Sequence, residues 1–187
     1  MTIAIIVIVA IIVLAVFYYI AKRNSIIASR NRVDESWSGI DVQLKRRHDL
    51  VPNLVETVKG YAEHESATFE KTTQARAAAM QAQGVEETAK AEQQLTQALA
   101  DVKAVAENYP TLLATENFQQ LSRNLSELED EIQASRRIYN SNVQSYNTDI
   151  QQFPGSIIAN QGGFTPREYF EIEDASERNA PQVSFGK

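Results

Sequence analysis

The chain has 187 residues, a formal net charge of −6 and no cysteine. The lack of thiols excludes disulfides, thiolate metal ligands and cysteine catalysis. The charge is unevenly placed, because residues 22–47 carry seven basic and three acidic side chains (+4), which leaves −10 for the rest. Such an acidic body lacks the basic surface that general nucleic-acid binding requires, so no nucleic-acid partner is predicted.

Residues 2–21 form an unbroken run of twenty uncharged, mostly aliphatic residues. As a helix this run would be roughly 30 Å long, which is the thickness of the hydrocarbon core of a bilayer. A cleavable signal peptide has a basic start and small residues at its end, whereas only Met1 precedes this run and bulky residues close it. A strand is excluded by length, so a membrane-spanning helix is predicted.

The last residues of the run and the two basic residues directly after it predict the membrane interface. They are an aromatic belt and two basic residues, namely Phe17, Tyr18, Tyr19, Lys22 and Arg23. Since basic residues follow the run and none precedes it, the positive-inside rule predicts a cytoplasmic body and an N-terminus outside. Residues 1–24 are therefore assigned to a single-pass anchor whose partner is the lipid bilayer, and the basic stretch suits anionic headgroups.

The rest of the chain predicts an all-α fold, a long antiparallel helical bundle over residues 25–153 and a tail over residues 154–187 that packs back on it. No strong stop occurs between residues 25 and 82, and apolar residues recur at spacings of three, four and seven. These residues are Val33, Trp37, Ile40, Leu44, Val51, Leu54 and Val58. Pro52 predicts either a kink or the first turn of a new helix capped by Asp49.

Two further helices are predicted after a turn at Gly84. The second runs from Val85 to about Asn108, before a proline. The third begins at Thr115 and ends at Pro154-Gly155, and its apolar stripe comprises Phe118, Leu121, Leu125, Leu128, Ile132, Tyr139, Val143, Tyr146, Ile150 and Phe153. The later part of this stripe has heptad spacing, as in a coiled coil. The repeated pairs Tyr139-Asn140 and Tyr146-Asn147 predict core tyrosines whose hydroxyls reach a polar rim.

The unequal helix lengths leave part of the first stripe without a predicted partner. At about 1.5 Å per residue the three helices would measure roughly 87, 36 and 57 Å. The first helix breaks near Asp49 or Gly60, or the tail covers its stripe, or neighbouring protomers cover it. Exposed apolar stripes mark interfaces, so assembly into a homo-oligomer in the membrane plane is favoured, with tail packing contributing.

The stripe and an adjacent basic cluster supply the candidate protein-interaction residues, which are Trp37, Ile40, Leu44, Arg46 and Arg47. The two arginines form a solvated rim, or pair with acidic residues such as Asp41 and Asp49 across helices, or form ion pairs between protomers that set the register of an assembly.

The stretch WSGIDVQLKRRHDLVPNLVETVKGYAEHE (Trp37 to Glu65) resembles the signature of the LemA family of bacterial membrane proteins. The preceding RNRV, the later ENYP, the YNxxVxxYN run and the closing YFEIED and APQVSF segments follow in the family's order. The resemblance implies a helical cytoplasmic bundle behind one N-terminal transmembrane helix in the bacterial cytoplasmic (inner) membrane. It also implies a link with inner-membrane organisation, including a branch connected with magnetosome membranes, and it carries no catalytic mechanism.

No chemistry is predicted beside this resemblance. The only histidines, His48 and His64, lack the spacing of a metal site, and no phosphate-binding loop or nucleophile elbow is present. We therefore expect no enzyme activity, no catalytic or metal-binding residue and no cofactor. The predicted function is a self-assembling scaffold that organises or remodels the cytoplasmic membrane. The alternative is a membrane-tethered adaptor for a partner such as a membrane protease or a signalling protein.

Overall fold

The computed structural model describes residues 1–171, and this part of the chain is helical without any strand. Its elements are α1 (Thr2–Lys59), α2 (Ser66–Gln81), α3 (Gly84–Glu107), α4 (Pro110–Leu113), α5 (Glu116–Gln151) and α6 (Gly155–Gly162). Residues 164–171 follow without regular secondary structure, and we call them the tail segment. The predicted all-α bundle behind a long apolar N-terminal helix is confirmed.

Helix α1 continues through Pro52, which excludes the alternative of a new helix capped by Asp49. Proline removes the N–H that would bond to the carbonyl of His48, four residues earlier. In its place the Nε of Arg76, on α2, donates to the oxygen of His48 at 2.7 Å. An intrahelical acceptor that would otherwise be unsatisfied therefore has a partner from a neighbouring helix. The helix ends at Lys59, so of the alternatives that the sequence left open, the break near Gly60 is present and the one near Asp49 is not.

Helix α5 packs antiparallel along α1 and covers its apolar stripe. Four polar contacts give the register from the membrane end outwards: Lys22 with Asp149, Arg32 with Asn142, Arg46 with Glu131 and Thr57 with Asn117. Between them Ile26, Val33 and Ile40 are buried against α5. The second predicted helix was too short to cover this stripe, and the structure covers it with α5, which is long enough to pair with α1 over its whole body.

A second core lies at the end of the bundle far from the apolar N-terminus. Helices α2 and α3 form a hairpin that packs on the last part of α1, and α4 closes its end. Its buried residues include Val51, Leu54, Val58, Phe69, Leu95, Val102, Leu112 and Phe118. The observed bounds of α3 lie within one residue of the predicted second helix.

The bounds of α5 agree with the prediction at its start and differ at its end. Thr115 caps the helix, and its hydroxyl accepts a hydrogen bond from the N–H of Phe118. The helix ends at Gln151, so Phe153 lies outside the seam and is 81% exposed, contrary to the prediction that it continues the buried stripe. Helices α4 and α6 were not predicted, because four and eight residues are too few to show a helical period.

Candidate functional site

The apolar N-terminal part of α1 stands apart from the bundle. Residues 1–21 are all exposed, and α1 is the one helix in residues 1–171 that is long and apolar enough to cross a membrane. The predicted interface residues Phe17, Tyr18, Tyr19 and Arg23 are exposed as well. Lys22 has a different role, because its Nζ lies 2.7 Å from Asp149 Oδ1 and joins α1 to α5. The buried core begins at Ile26, directly after the apolar run.

The predicted interaction residues of the stripe are engaged within the chain. Ile40 and Leu44 are buried in the core shared with α5. Trp37 is half-buried, and its ring centroid lies 5.4 Å from that of Tyr139 and 5.7 Å from that of Phe170. Trp37 is therefore the member of this stripe that keeps a partly exposed face.

The two Tyr-Asn pairs of α5 hold the tail segment, and we call Tyr139, Asn140, Tyr146 and Asn147 the tail clamp. Asn147 receives the N–H of Arg167 at 2.8 Å and donates to the carbonyl of the same residue at 2.9 Å. Asn140 makes the same pair of bonds with Phe170, at 2.9 and 3.2 Å. Each amide side chain thus bonds both main-chain groups of one tail residue.

The tyrosines of the clamp complete this pattern. The Tyr139 hydroxyl donates to the carbonyl of Glu168 at 2.9 Å, and the Tyr146 hydroxyl donates to the carbonyl of Thr165 at 3.0 Å. Both rings are buried, which confirms the predicted core positions. Their hydroxyls reach the main chain of the tail segment, a partner that the sequence reasoning did not identify.

The spacing of the Tyr-Asn pairs along α5 and the spacing of the bonded residues along the tail segment have nearly the same length. Seven residues of α-helix rise about 10.5 Å, the distance from one Tyr-Asn pair to the next. Three residues of extended chain span about 10 Å, the distance from one clamped tail residue to the next. The YNxxVxxYN spacing of α5 is therefore matched to an extended peptide that runs antiparallel to it.

Side-chain contacts also fix the clamped tail segment, and those of Phe170 and Arg167 lie within the clamped part. Phe170 is 1% exposed and packs in the core that contains Trp37 and Tyr139. The guanidinium group of Arg136 lies over its ring at 5.2 Å. Arg167 Nη2 donates to Asp34 Oδ1 at 2.9 Å on the surface of α1. Because the clamp bonds are to main-chain atoms, Phe170 is the side chain that selects the register.

Burial raises the pKa of Tyr139 to about 12, and it raises the pKa of Tyr146 as well. A pKa that is higher in the folded state means that unfolding releases protons, so stability is fully present below pH 10 and falls between pH 10 and 12. We expect urea denaturation to show this fall, and Tyr139→Phe to make the profile flatter. An unchanged profile in the variant would contradict the assignment.

Arg46 and Arg47 have partners within the chain. Arg46 Nη1 lies 2.8 Å from Glu131 Oε2 at the exposed α1–α5 surface. Arg47 is buried, and its Nη1 lies 3.5 Å from Glu92 Oε2 and 3.2 Å from Glu129 Oε2. The predicted pairing across helices is therefore present with other carboxylates than those of Asp41 and Asp49, and the arginines need no second protomer for an ion pair.

His48 and Glu92 complete a buried polar cluster around Arg47. His48 Nε2 lies 2.5 Å from Glu92 Oε1, and Arg47 Nη2 donates to Thr96 Oγ1 at 2.6 Å. Glu92 was not predicted from the sequence as a buried residue, although a signal was present. Glu92 stands on the buried face of α3, between Thr88 and Leu95. A carboxylate on such a face requires a buried cation, and the basic cluster at residues 45–47 supplies it.

A groove of 410 Å³ opens beside this cluster between α3 and α5. Its apolar lining comes from Leu54, Leu99, Phe118 and Leu125, and its polar rim includes Arg47 and Glu129. Across residues 1–171 no group of three His, Asp or Glu side chains is placed to hold a metal ion.

Sequence comparison with known proteins gives a family match that covers the clamp. The sequence model of the LemA family matches residues 36–185, which include both Tyr-Asn pairs. The chain belongs to the LemA family. Magnetosome protein MamQ 2 of Paramagnetospirillum magneticum is 26% identical over 195 residues, which cover 88% of this chain and 72% of that protein. Protein LemA of Metamycoplasma hominis is 29% identical over 145 residues, which cover 76% and 66%.

A third relative is the magnetosome protein MamQ of Magnetospirillum gryphiswaldense, 23% identical over 182 residues, which cover 83% of this chain and 67% of that protein. The predicted family is thus confirmed, and this LemA-family chain is a membrane-associated protein. The APQVSF segment and the end of YFEIED lie in residues 172–187, outside the described residues.

Proposed function

We propose that this protein is a membrane-anchored scaffold whose copies associate by exchanging tail segments and so organise the cytoplasmic membrane. The observation that carries the proposal is the tail clamp, because its six hydrogen bonds are all to main-chain groups of the tail segment. A tail segment from a neighbouring copy makes the same bonds, and exchange of an identical element is a low-cost route to association.

The hinge for this exchange lies at Gly162-Gly163. Gly163 has φ of +66°, a left-handed conformation that glycine adopts without strain. A Cβ atom on Gly162 would lie 2.4 Å from the ring of Phe164, so a larger residue at this position would displace that ring. Anchoring supports the exchange, since copies confined to one membrane meet at high local concentration.

The continuity of α1 supports a link between the association of the bundles and the arrangement of their membrane segments. Its 58 residues form one helix of roughly 87 Å that belongs both to the apolar segment and to the bundle. Bundles that associate through their tail segments therefore fix the spacing and tilt of their membrane segments. The relatives named as magnetosome proteins support a role at a membrane.

Cross-linking between differently tagged copies tests the exchange. Asp34 and Arg167 are exposed and in contact, and the chain has no native cysteine. We expect Asp34→Cys in one copy and Arg167→Cys in another to be joined by a short thiol cross-linker in isolated membranes. A matched control is the exposed pair Lys71 and Asp101, which joins α2 to α3, and its two single-cysteine copies should not be joined.

Two outcomes would overturn the scaffold proposal. In the first, Asp34→Cys and Arg167→Cys are joined only when both are in one chain, which would show that tail segments stay with their own copy. In the second, differently tagged wild-type copies fail to co-purify after mild detergent extraction, and the extracted particles have the size of single chains.

The tail clamp also favours a second candidate function, that of a membrane-tethered adaptor. An extended peptide of another protein would make the same main-chain bonds if it placed a large apolar side chain where Phe170 lies. This function predicts that a synthetic peptide of residues 164–171 competes with the bound tail segment. Under the adaptor function, solubilised copies remain single.

The proposal places the bundle in the cytoplasm and the N-terminus outside. The basic residues that follow the apolar run support this orientation. We expect protease added to intact spheroplasts to leave the bundle uncut, and to cut it once the membrane is permeabilised. Digestion in intact spheroplasts would reverse the assignment.

A further inference from the structure

The turn between α5 and α6 lies at the membrane end of the bundle. Helix α5 runs towards the apolar segment. Its Asn142 bonds to Arg32, and Asp149, about two helical turns further along α5, bonds to Lys22. Helix α6 begins beside Lys22, whose Cε would lie 3.1 Å from a Cβ atom on Gly155. Residues 152–157 therefore lie level with the end of the apolar run.

This turn exposes large apolar side chains. Phe153 is 81% exposed and Ile157 is 50% exposed. Exposed apolar groups that are adjacent to one another mark surfaces that contact a partner or a membrane. Here Phe153 lies just beyond the last residue of α5 and Ile157 is the third residue of α6, on either side of Gly155, which lies beside Lys22 of α1.

The sequence around the turn has no charge. Residues 150–166 contain no Asp, Glu, Lys, Arg or His, and this is the longest uncharged stretch of the chain after the apolar run. The charge that precedes it, on Asp149, is paired with Lys22 at 2.7 Å. The turn therefore brings no unpaired carboxylate towards the headgroups.

The depth of the turn agrees with the dimensions of a bilayer. A headgroup layer adds about 5–7 Å to each side of the hydrocarbon core, which corresponds to roughly four residues of helix beyond the apolar run. Residues 22–26 of α1 fall in this layer, and Gly155 and Ile158 pack beside Lys22 and Ile26. Phe153 and Ile157 are thus at the depth where apolar and aromatic side chains are favoured at the interface.

We infer that the α5–α6 turn enters the headgroup layer next to α1 and forms a second membrane contact, through Phe153 and Ile157. The inference rests on the anchoring of α1 that the proposed function includes. A single helix leaves a bundle free to rotate about the helix axis and to tilt. A second contact restricts both motions and presents the same face of every bundle to its neighbours.

Single cysteines in this cysteine-free chain test the second contact. An environment-sensitive fluorophore is attached to Phe153→Cys or Ile157→Cys in the full chain, reconstituted in phosphatidylcholine–phosphatidylglycerol vesicles. We expect a nitroxide-labelled lipid to quench both probes several times more than a probe at Ile138→Cys, and iodide in the buffer to show the opposite order. Ile138 is the matched control, because it lies on α5, the helix that leads into the turn, is 59% exposed and stands about four helical turns before the turn.

A probe at Leu14→Cys, within the apolar run, separates the two ways of failing. If lipid quenches this probe while Phe153→Cys and Ile157→Cys behave like Ile138→Cys, the second contact is overturned and the anchor stands. If lipid does not quench Leu14→Cys, the anchoring itself is overturned, and the second contact with it.

Discussion

Replacing Arg47 with alanine is expected to lower the free energy of unfolding by about 3 kcal/mol or more, as measured by urea denaturation of the detergent-solubilised protein. The side chains of Arg47 and Glu92 are 5% and 3% exposed, so the substitution leaves a buried carboxylate without its arginine. The Glu92 carboxylate is then shielded from water and lacks the positive charge that Arg47 places beside its Oε2 atom. Fluorescence of Trp37, the single tryptophan, reports the transition.

The neighbouring arginine provides the matched control. Arg46 forms an exposed pair with Glu131, and pairs of this kind contribute about 0–1 kcal/mol. We expect Arg46→Ala to change the free energy of unfolding by less than about 1 kcal/mol. The double variant Arg47→Met with Glu92→Met should recover much of the loss, because apolar replacement of a whole buried pair is often neutral. Equal effects of Arg46→Ala and Arg47→Ala would contradict a buried structural role for the cluster.

Replacing Phe170 with alanine is expected to release the tail segment from the clamp while the bundle stays folded. Removal of a buried phenylalanine ring costs about 3–5 kcal/mol, and here the cost falls on the docking of the tail segment. Hydrogen exchange measures this release at the N–H of Arg167, which is bonded to Asn147. Since each 1.4 kcal/mol is a factor of ten, protection there should fall by about 100-fold or more.

Tyr169 is the control for this variant, because it is adjacent to Phe170 and partly exposed. We expect Tyr169→Ala to leave the exchange of the Arg167 N–H almost unchanged. Exchange in the helices α2 and α3, far from the clamp, should be the same in both variants. If Phe170→Ala leaves the protection of Arg167 intact, the main-chain bonds hold the tail segment without its apolar anchor, and Phe170 does not select the register.

The relation between the clamp and the family gives the Tyr-Asn repeat a structural reason. Both pairs lie in the region that the LemA family model matches. Asparagine is required because its amide offers a donor and an acceptor at one end, which pair with the C=O and N–H of a single residue. Aspartate at Asn140 or Asn147 would lose the donor and repel a carbonyl, so the polar member of each pair is set by the geometry of an extended chain.

Features that depend on near neighbours in the chain were predictable. The apolar run, the bounds of α3 and the cap at Thr115 follow from hydropathy, turn residues and capping chemistry. The buried positions of Val33 and Ile40 follow from helical spacing. The repeat of Tyr139 and Tyr146 indicated core positions correctly.

Features that depend on distant residues were not predictable from one sequence. The sequence left open what covers the stripe at Trp37, because spacing shows which face of a helix is apolar but not which element packs on it. The structure pairs that stripe with α5 and with Phe170, more than 130 positions away. The burial of Glu92 beside Arg47 and the bonds of the clamp asparagines to Arg167 and Phe170 also depend on distant residues.

The amino-acid sequence alone was sufficient to identify a membrane-length apolar segment, a helical bundle after it and the LemA family. These properties arise from composition, local hydrogen bonding and residue spacing, which act within a few turns of helix. Three outcomes appear only in the folded chain: Arg47 is buried, the tail segment lies on the Tyr-Asn pairs, and Phe153 lies exposed beyond the end of α5. The reason is physical: these outcomes depend on which surfaces meet when α1 and α5 pair, and no local rule contains that choice.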